Sequence, residues 1–206
     1  LVGMSPTVVD DPVERHRLRE ASLAAERLAQ TYFFLNQQNR CFVTSLQTAF
    51  FAERLGPSAE LARSYAVLNV AFGYVPMPRV VERYGRRAEE IADQVGDGHA
   101  VGFVAFLRGL VAIGAGQHAQ ARAFLKRALA TATRNGDVRS AQEIHPVLAH
   151  AHNCAGMFDE AMALYDGLED SVRRNPNAQG SLWALGGRGT ALAWQGQGRA
   201  ALGLWQ

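Results

Sequence analysis

The sequence has few of the features that mark membrane, secreted or nucleic-acid-binding proteins. Only two of its 206 residues are cysteine, and its formal net charge is +2. No apolar run approaches the ~20 residues of a membrane span, and no signal peptide is recognisable. The charges are mixed along the chain, which argues against a nucleic-acid or anionic membrane partner. We therefore expect a cytoplasmic protein.

Motifs of catalysis and cofactor binding are equally scarce. The glycine-rich run Gly186–Gly189 has no strand before it, so it does not qualify as a phosphate-binding loop. Acidic pairs such as Glu89 and Glu90 are predicted to lie on solvated helix faces. We predict no catalytic residues, no metal and no cofactor, and hence no enzyme in this segment.

Glycine, in contrast, recurs at a fixed interval. Two series with a spacing of forty residues are present, one predicted within helical hairpins and one between them, where Pro176 takes the fourth place. The first series is Gly116, Gly156 and Gly196, and the second is Gly56, Gly96 and Gly136. A period of this size is typical of a solenoid in which each unit cannot bury its apolar face alone.

This period predicts an all-α protein, a right-handed α-solenoid of about five hairpins. We expect a flexible arm over residues 1–9 and a single solenoid over 10–206, cut from a longer protein. Asp10-Asp11-Pro12 resembles a helix start. The predicted repeats are about 18–57, 58–97, 98–137, 138–177 and 178–206, the last of them truncated.

Small residues recur where the two helices of each hairpin should cross. Seven places before the turn stand Ala29, Asn69, Gly109, Ala149 and Gly189. Five places after it stand Cys41, Val81, Ala121, Ala161 and Ala201. Larger apolar residues surround them at helical spacing, as ridge-into-groove packing requires.

This pattern resembles the tetratricopeptide repeat (TPR) family. Gly-x-x-x-x-Ala spans the hairpin turn in Gly116–Ala121, Gly156–Ala161 and Gly196–Ala201. The first two hairpins have Asn36 and Pro76 in place of the turn glycine. The family's unit is 34 residues, so these units are about six residues longer. The resemblance implies a module that binds other proteins.

A narrower resemblance is carried by the run Ala52 to Arg63, AERLGPSAELAR. It is similar to the TPR region of large bacterial signalling proteins that also contain an ATPase and a nucleotidyl cyclase or kinase domain. The resemblance implies that this chain is part of such a protein and that its partner is intramolecular or a separate protein.

The family's groove positions fall on an unusually aromatic set of residues here. We predict that a concave groove formed by the first helices binds a peptide or partner domain, because contiguous apolar surface marks interfaces. The alternative is that these rings are buried against one another, or are covered by other parts of the parent protein. The predicted partner-binding residues are Phe33, Phe34, Tyr74, Phe103, Phe106, Leu110, His150, Trp183 and Trp194.

A second candidate function centres on His150 and Cys154, which are four residues apart on one predicted helix. Such a pair is suited to bind a metal or a small molecule, although a structural zinc site needs four ligands. His145 and His152 correspond in register to Tyr65 and Phe72, which favours plain packing. We therefore predict a non-catalytic scaffold, with a sensor domain as the alternative and a homodimer left open.

Overall fold

The computed structural model describes residues 7–74 and 77–205. Over these ranges the chain forms α-helices and no β-strand, which confirms the predicted all-α class. The helices group into two compact units, Leu1–Arg108 and Gly109–Gln206.

Unit 1 contains two helical hairpins and the first part of the next helix. Its helices are α1 (Pro12–Phe34), α2 (Gln38–Glu53), α3 (Ala59–Gly73), α4 (Pro78–Val95) and the beginning of α5 (Gly98–Gly114). Val75, the predicted last residue of α3, and Pro76, the first residue of the predicted turn between α3 and α4, lie outside the described residues.

Unit 2 contains the rest of α5 and the remaining hairpins. Its helices are α6 (His118–Arg134), α7 (Val138–Asn153), α8 (Phe158–Arg174), α9 (Ala178–Trp194) and the short α10 (Gly198–Trp205). Helices α3, α5, α7 and α9 begin at Ala59, Gly98, Val138 and Ala178, close to the starts of the predicted repeats, whereas α1 begins at Pro12, before the predicted start at about 18.

The periodic glycines do occupy the turns. All six have positive φ, between 67° and 80°, a conformation that is unfavourable for residues with a Cβ atom. Asn36 takes the same place in the first hairpin with φ 55°, as asparagine tolerates. The left-handed backbone conformation therefore explains why glycine recurs at each turn, once in every repeat.

The first helix of each hairpin has a side-chain cap at its beginning. Asp11 confirms the predicted start of α1, because its carboxylate accepts a hydrogen bond from the Glu14 N–H at 3.0 Å. The equivalent caps are Ser58 for α3, Asp97 for α5, Asp137 for α7 and Asn177 for α9. Such caps satisfy N–H groups that have no partner within the helix.

Most of the predicted crossing positions are buried. Ala121, Ala161 and Ala201 are buried, as are all five residues of the series before the turn. Cys41 and Val81 are only half-buried, in the two hairpins that lack a turn glycine. In the second of these the buried Asn69 donates its amide to the Val81 carbonyl at 2.7 Å, so a hydrogen bond supports that crossing.

Each unit has its own apolar core. In unit 1, Ala62, Ala66 and Leu61 of α3 pack with Ile91 of α4 and Val104 of α5. Burial of such side chains contributes about 25 cal/mol per Å² of apolar surface.

In unit 2, the Tyr165 side chain packs among Ala149, Ala161 and Ala191, and Leu168 packs with Val172 and Ala184. Small side chains around the Tyr165 ring allow α7, α8 and α9 to approach one another closely.

The segment before α1 is partly held in place. Residues 1–6 of the predicted flexible arm lie outside the described residues. The Val9 N–H donates to the Arg54 carbonyl at 3.0 Å, and the Val9 carbonyl accepts from the Arg15 guanidinium at 2.9 Å. Residue 9 is therefore bonded to the first hairpin.

Candidate protein-interaction surface

The first helices of the two hairpins in unit 1, α1 and α3, lie side by side and parallel. The Arg63 guanidinium donates to the Glu26 carboxylate at 3.0 Å, and Arg19 Nε lies 3.5 Å from Glu60 Oε1. Both ion pairs join residues about forty positions apart. Residues one repeat apart in sequence therefore lie at the same height on these two helices.

Phe33, Phe34 and Tyr74 lie at the C-terminal ends of these parallel helices, and we call them the unit 1 aromatic patch. Phe34 and Tyr74 are one repeat apart and so occupy equivalent places on α1 and α3. The exposed fractions are 63% for Phe33, 61% for Phe34 and 82% for Tyr74. The Phe33 and Phe34 rings pack edge to face, with centroids 5.7 Å apart. The structure thus places Phe33 and Phe34 in contact at the end of α1, and Tyr74 is exposed at the equivalent end of α3.

The predicted residues on α5 in unit 1 have different surroundings. Phe103 is half-buried and packs against the core that contains Ala62 and Ile91. Phe106 is also half-buried. Phe103 therefore contributes to packing, whereas the unit 1 aromatic patch is free to contact a partner.

The predicted residues of unit 2 divide in the same way. Trp183 is half-buried and packs against the cluster of Leu168, Val172 and Ala184, and Leu110 is half-buried. His150 is exposed, and Trp194 is half-exposed. The centroids of their rings lie 5.9 Å apart, so α7 and α9 together present an aromatic surface, the His150–Trp194 pair.

The histidines of α7 have distinct roles. His152 is buried, and its Nδ1 is bonded to the Leu148 carbonyl at 2.8 Å. His145 is bonded in the same way to the Ala141 carbonyl at 2.6 Å. Packing and local hydrogen bonds therefore account for both residues, as the register predicts.

His150 and Cys154 do come together, with Cys154 Sγ 3.5 Å from His150 Nε2. Within residues 7–74 and 77–205 no three His, Cys, Asp or Glu side chains converge on a place that could hold a metal ion.

Burial, and then the nearby Cys154, raise the pKa of the Tyr165 phenol to about 12. Tyr165 therefore stays neutral at physiological pH.

One prediction about the acidic residues is wrong. Glu89 is predicted to lie on a solvated face with Glu90, but its carboxylate lies 3.2 Å from Nε of the buried Arg108. The Arg108 guanidinium also donates to Glu82 at 3.2 Å. A buried guanidinium needs paired carboxylates to offset its desolvation, and this holds Glu89 in place. Glu90 is exposed and pairs with Arg87.

Sequence reasoning also missed exposed apolar residues outside the predicted partner-binding set. Phe50 on α2 is 60% exposed although it lies on a second helix, where its ring contacts Phe51. Leu182 on α9 is exposed as well. In the sequence, Phe50 and Leu182 have the same kinds of neighbours as the buried apolar residues of their helices. The sequence pattern therefore does not show that these two side chains are exposed.

Among the depressions of the surface, one of about 310 Å³ is lined by Pro12, Arg15, His16 and Arg19. A second, of about 650 Å³, surrounds the turn Asn36–Arg40. Neither includes the His150–Trp194 pair.

In the part of the chain that the structure describes, no helix has the length and apolar character needed to span a bilayer.

Solved structures match this chain over nearly its whole length. Two crystal structures of a candidate kinesin light chain from Podosopora anserina with nearly identical TPR-like repeats, the first of them a glutamine-to-methionine variant, have TM-scores of 0.69 and 0.67. They share 18% and 17% sequence identity with this chain and cover 93% of it and 92% of their own chains. The chain has the TPR-like fold. This confirms the resemblance read from the turn motifs and the predicted class of helical-hairpin solenoid.

At this level of identity the TPR-like match establishes the fold alone. No protein-family model matches the sequence, and no curated protein matches it.

Proposed function

We propose that this TPR-like chain is a non-catalytic interaction module that binds a peptide or partner domain through first-helix aromatic residues. The observation that carries the proposal is the unit 1 aromatic patch, where Phe33, Phe34 and Tyr74 are each more than 60% exposed. The His150–Trp194 pair is the equivalent surface of unit 2.

Isolated apolar residues are common on protein surfaces, so exposure alone is weak support. The patch is different because Phe33 and Phe34 are in contact at the end of α1, and Tyr74 is exposed at the equivalent end of α3, a helix that two ion pairs join to α1. Aromatic residues are enriched at protein interfaces and dominate binding energy where they fill a partner's pockets. A rigid pair of helices also presents them without a large loss of conformational entropy on binding.

The half-buried aromatic residues have a supporting role in this proposal. Phe103 and Trp183 pack against the cores of their units and are only partly exposed to a ligand. Their truncation should therefore affect stability as well as binding. Phe106 and Leu110 are assigned to the same supporting group because they are half-buried.

A random peptide display library tests the proposal and does not require the partner to be identified first. Peptides selected on the wild-type protein should be rich in apolar and aromatic residues. Their affinity should fall more than about tenfold in Phe34→Ala and in Tyr74→Ala, which corresponds to about 1.4 kcal/mol for each ring.

Phe50→Ala is the matched control, since Phe50 is as exposed as Phe34 but lies on a second helix. This variant should keep the wild-type affinity. Selected peptides that bind the Phe34→Ala/Tyr74→Ala double variant as tightly as the wild type would show that the patch is not the binding surface.

The resemblance of the run Ala52–Arg63 to bacterial signalling proteins favours a regulatory setting for this module. We propose that its partner is either a separate protein or another domain of the same chain, such as a cyclase or kinase domain, in the cytoplasm. Co-purification of this segment with the parent's remaining domains, expressed separately, would test the intramolecular case.

A further inference from the structure

The turn at the end of α7 brings a thiol and an imidazole together at the surface. Cys154 Sγ lies 3.5 Å from Nε2 of His150, within the distance for a hydrogen bond that involves sulfur. Cys154 is a free cysteine and half-buried, and His150 is exposed. Low-molecular-weight reagents can therefore approach this thiol.

Two contacts determine the position of the imidazole. The His150 ring lies against Trp194 of α9, with centroids 5.9 Å apart. The His150 carbonyl accepts the Cys154 N–H at 2.9 Å and thus joins the two residues through the backbone. The pair is consequently part of a folded turn rather than two independent side chains.

The location at a helix C-terminus determines which member of the pair can activate the other. The last carbonyl groups of α7 favour a cation and disfavour a thiolate. The helix end therefore does not activate Cys154, and the basic group in contact with its thiol is the His150 imidazole. Without the imidazole, the Cys154 thiol should react with disulfides no faster than an ordinary cysteine.

We propose that Cys154 is a modification site that reacts with low-molecular-weight disulfides, with His150 as the proton acceptor. The Cys154 thiol transfers its proton to His150 Nε2, and the thiolate attacks one sulfur of the disulfide. A protein–adduct disulfide forms as the reagent's S–S bond breaks, and the leaving thiolate takes the proton from the imidazolium. One disulfide and one protein thiol thus become one mixed disulfide and one small thiol.

The second cysteine is an internal control. Cys41 is also free and half-buried, but no histidine contact is observed for it among the described residues. The Cys41→Ser variant leaves Cys154 as the reacting thiol, and the Cys154→Ser variant leaves Cys41. Both variants can be treated with oxidised glutathione and with a chromogenic aromatic disulfide at pH 7.

An ordinary thiol is only about 3% ionised at pH 7, so complete proton transfer would raise its rate at most ~30-fold. The lower nucleophilicity of an activated thiolate reduces this gain, and we expect about tenfold faster reaction at Cys154 than at Cys41. His150→Gln in the Cys41→Ser background should remove this advantage, because glutamine can hydrogen-bond but cannot accept the proton.

The two thiols should react at similar rates after unfolding in guanidinium chloride, which separates the effect of the folded pair from reagent chemistry. Circular dichroism of the His150→Gln variant checks that the exposed substitution leaves the helices intact. Equal rates for Cys154 and Cys41 in the folded protein, or an unchanged Cys154 rate after His150→Gln, would overturn the proposal.

The consequence for binding rests on the proposed function. Because His150 contacts Trp194, an adduct on Cys154 should obstruct the His150–Trp194 pair and weaken a ligand held there. The reaction rates are measured without any partner, so failure of the interaction proposal would leave this test of the thiol intact.

Discussion

The neighbouring glycines Gly186 and Gly187 on α9 offer a direct test of how closely α8 and α9 pack. A Cβ atom built on Gly187 would overlap Cε1 and Cζ of Tyr165 and lie 2.8 Å from its hydroxyl oxygen. The same atom on Gly186 meets nothing within 4 Å. Alanine at the two positions should therefore have opposite effects on stability.

The magnitudes follow from two terms. Alanine in place of a mid-helix glycine gains about 0.5–1 kcal/mol at either position. At Gly187 an overpacking cost of about 1–3 kcal/mol opposes this gain, because Tyr165 is a rigid ring, buried among alanines, and cannot move aside freely. The helix term cancels in the comparison, so the two variants should differ by about 1–3 kcal/mol.

Thermal unfolding followed by circular dichroism measures this difference. For a chain of this size it corresponds to a melting temperature about 2–12 °C lower for Gly187→Ala than for Gly186→Ala. In a Tyr165→Leu background the penalty at Gly187 should largely disappear, as a double-mutant cycle would show. A Gly187→Ala variant that melts at or above the temperature of Gly186→Ala would refute the proposed contact.

Three further predictions concern packing, pH and local stability. Ala161→Leu should destabilise the fold by about 1–3 kcal/mol in urea, because Ala161 is fully buried at a helix crossing, whereas the exposed Ala163→Leu should have little effect. The folded pKa of Tyr165, about 12, exceeds the ordinary value of about 10, so its neutral phenol stabilises the fold below pH ~10 and this contribution is lost as pH rises towards 12. Tyr165→Phe should accordingly lose less stability than wild type between pH 9 and 12, and an unchanged pH dependence of the urea midpoint would contradict this. Amides of α10, which buries only Ala201, should exchange faster than those of α9, and equal protection would argue against fraying.

Repetition and turn chemistry could be read from the amino-acid sequence because they depend on local interactions. A turn with positive φ favours glycine or asparagine wherever it occurs. The spacing of Gly56, Gly96 and Gly136 therefore reveals the repeat length without any knowledge of how the helices pack. The start of α1 at Asp11 and Pro12 is local for the same reason, since the cap and the proline act within the first turn.

The candidate surface was predictable only in part, because exposure depends on what packs against a side chain. Phe34 and Phe103 both occupy first-helix positions, yet the first is exposed and the second packs against a core. The sequence pattern is the same in both cases, and the difference arises from neighbouring helices.

Tertiary structure alone also decided the pairing of charges and polar groups. Glu89 and Glu90 are adjacent in sequence, but only Glu89 is within reach of the buried Arg108 on the next helix. His150 and Cys154 were recognisable as a pair by their spacing, whereas the contact of His150 with Trp194 required α7 and α9 to pack together. Helical spacing determines which residues share a face, and only the packing of helices determines what that face meets.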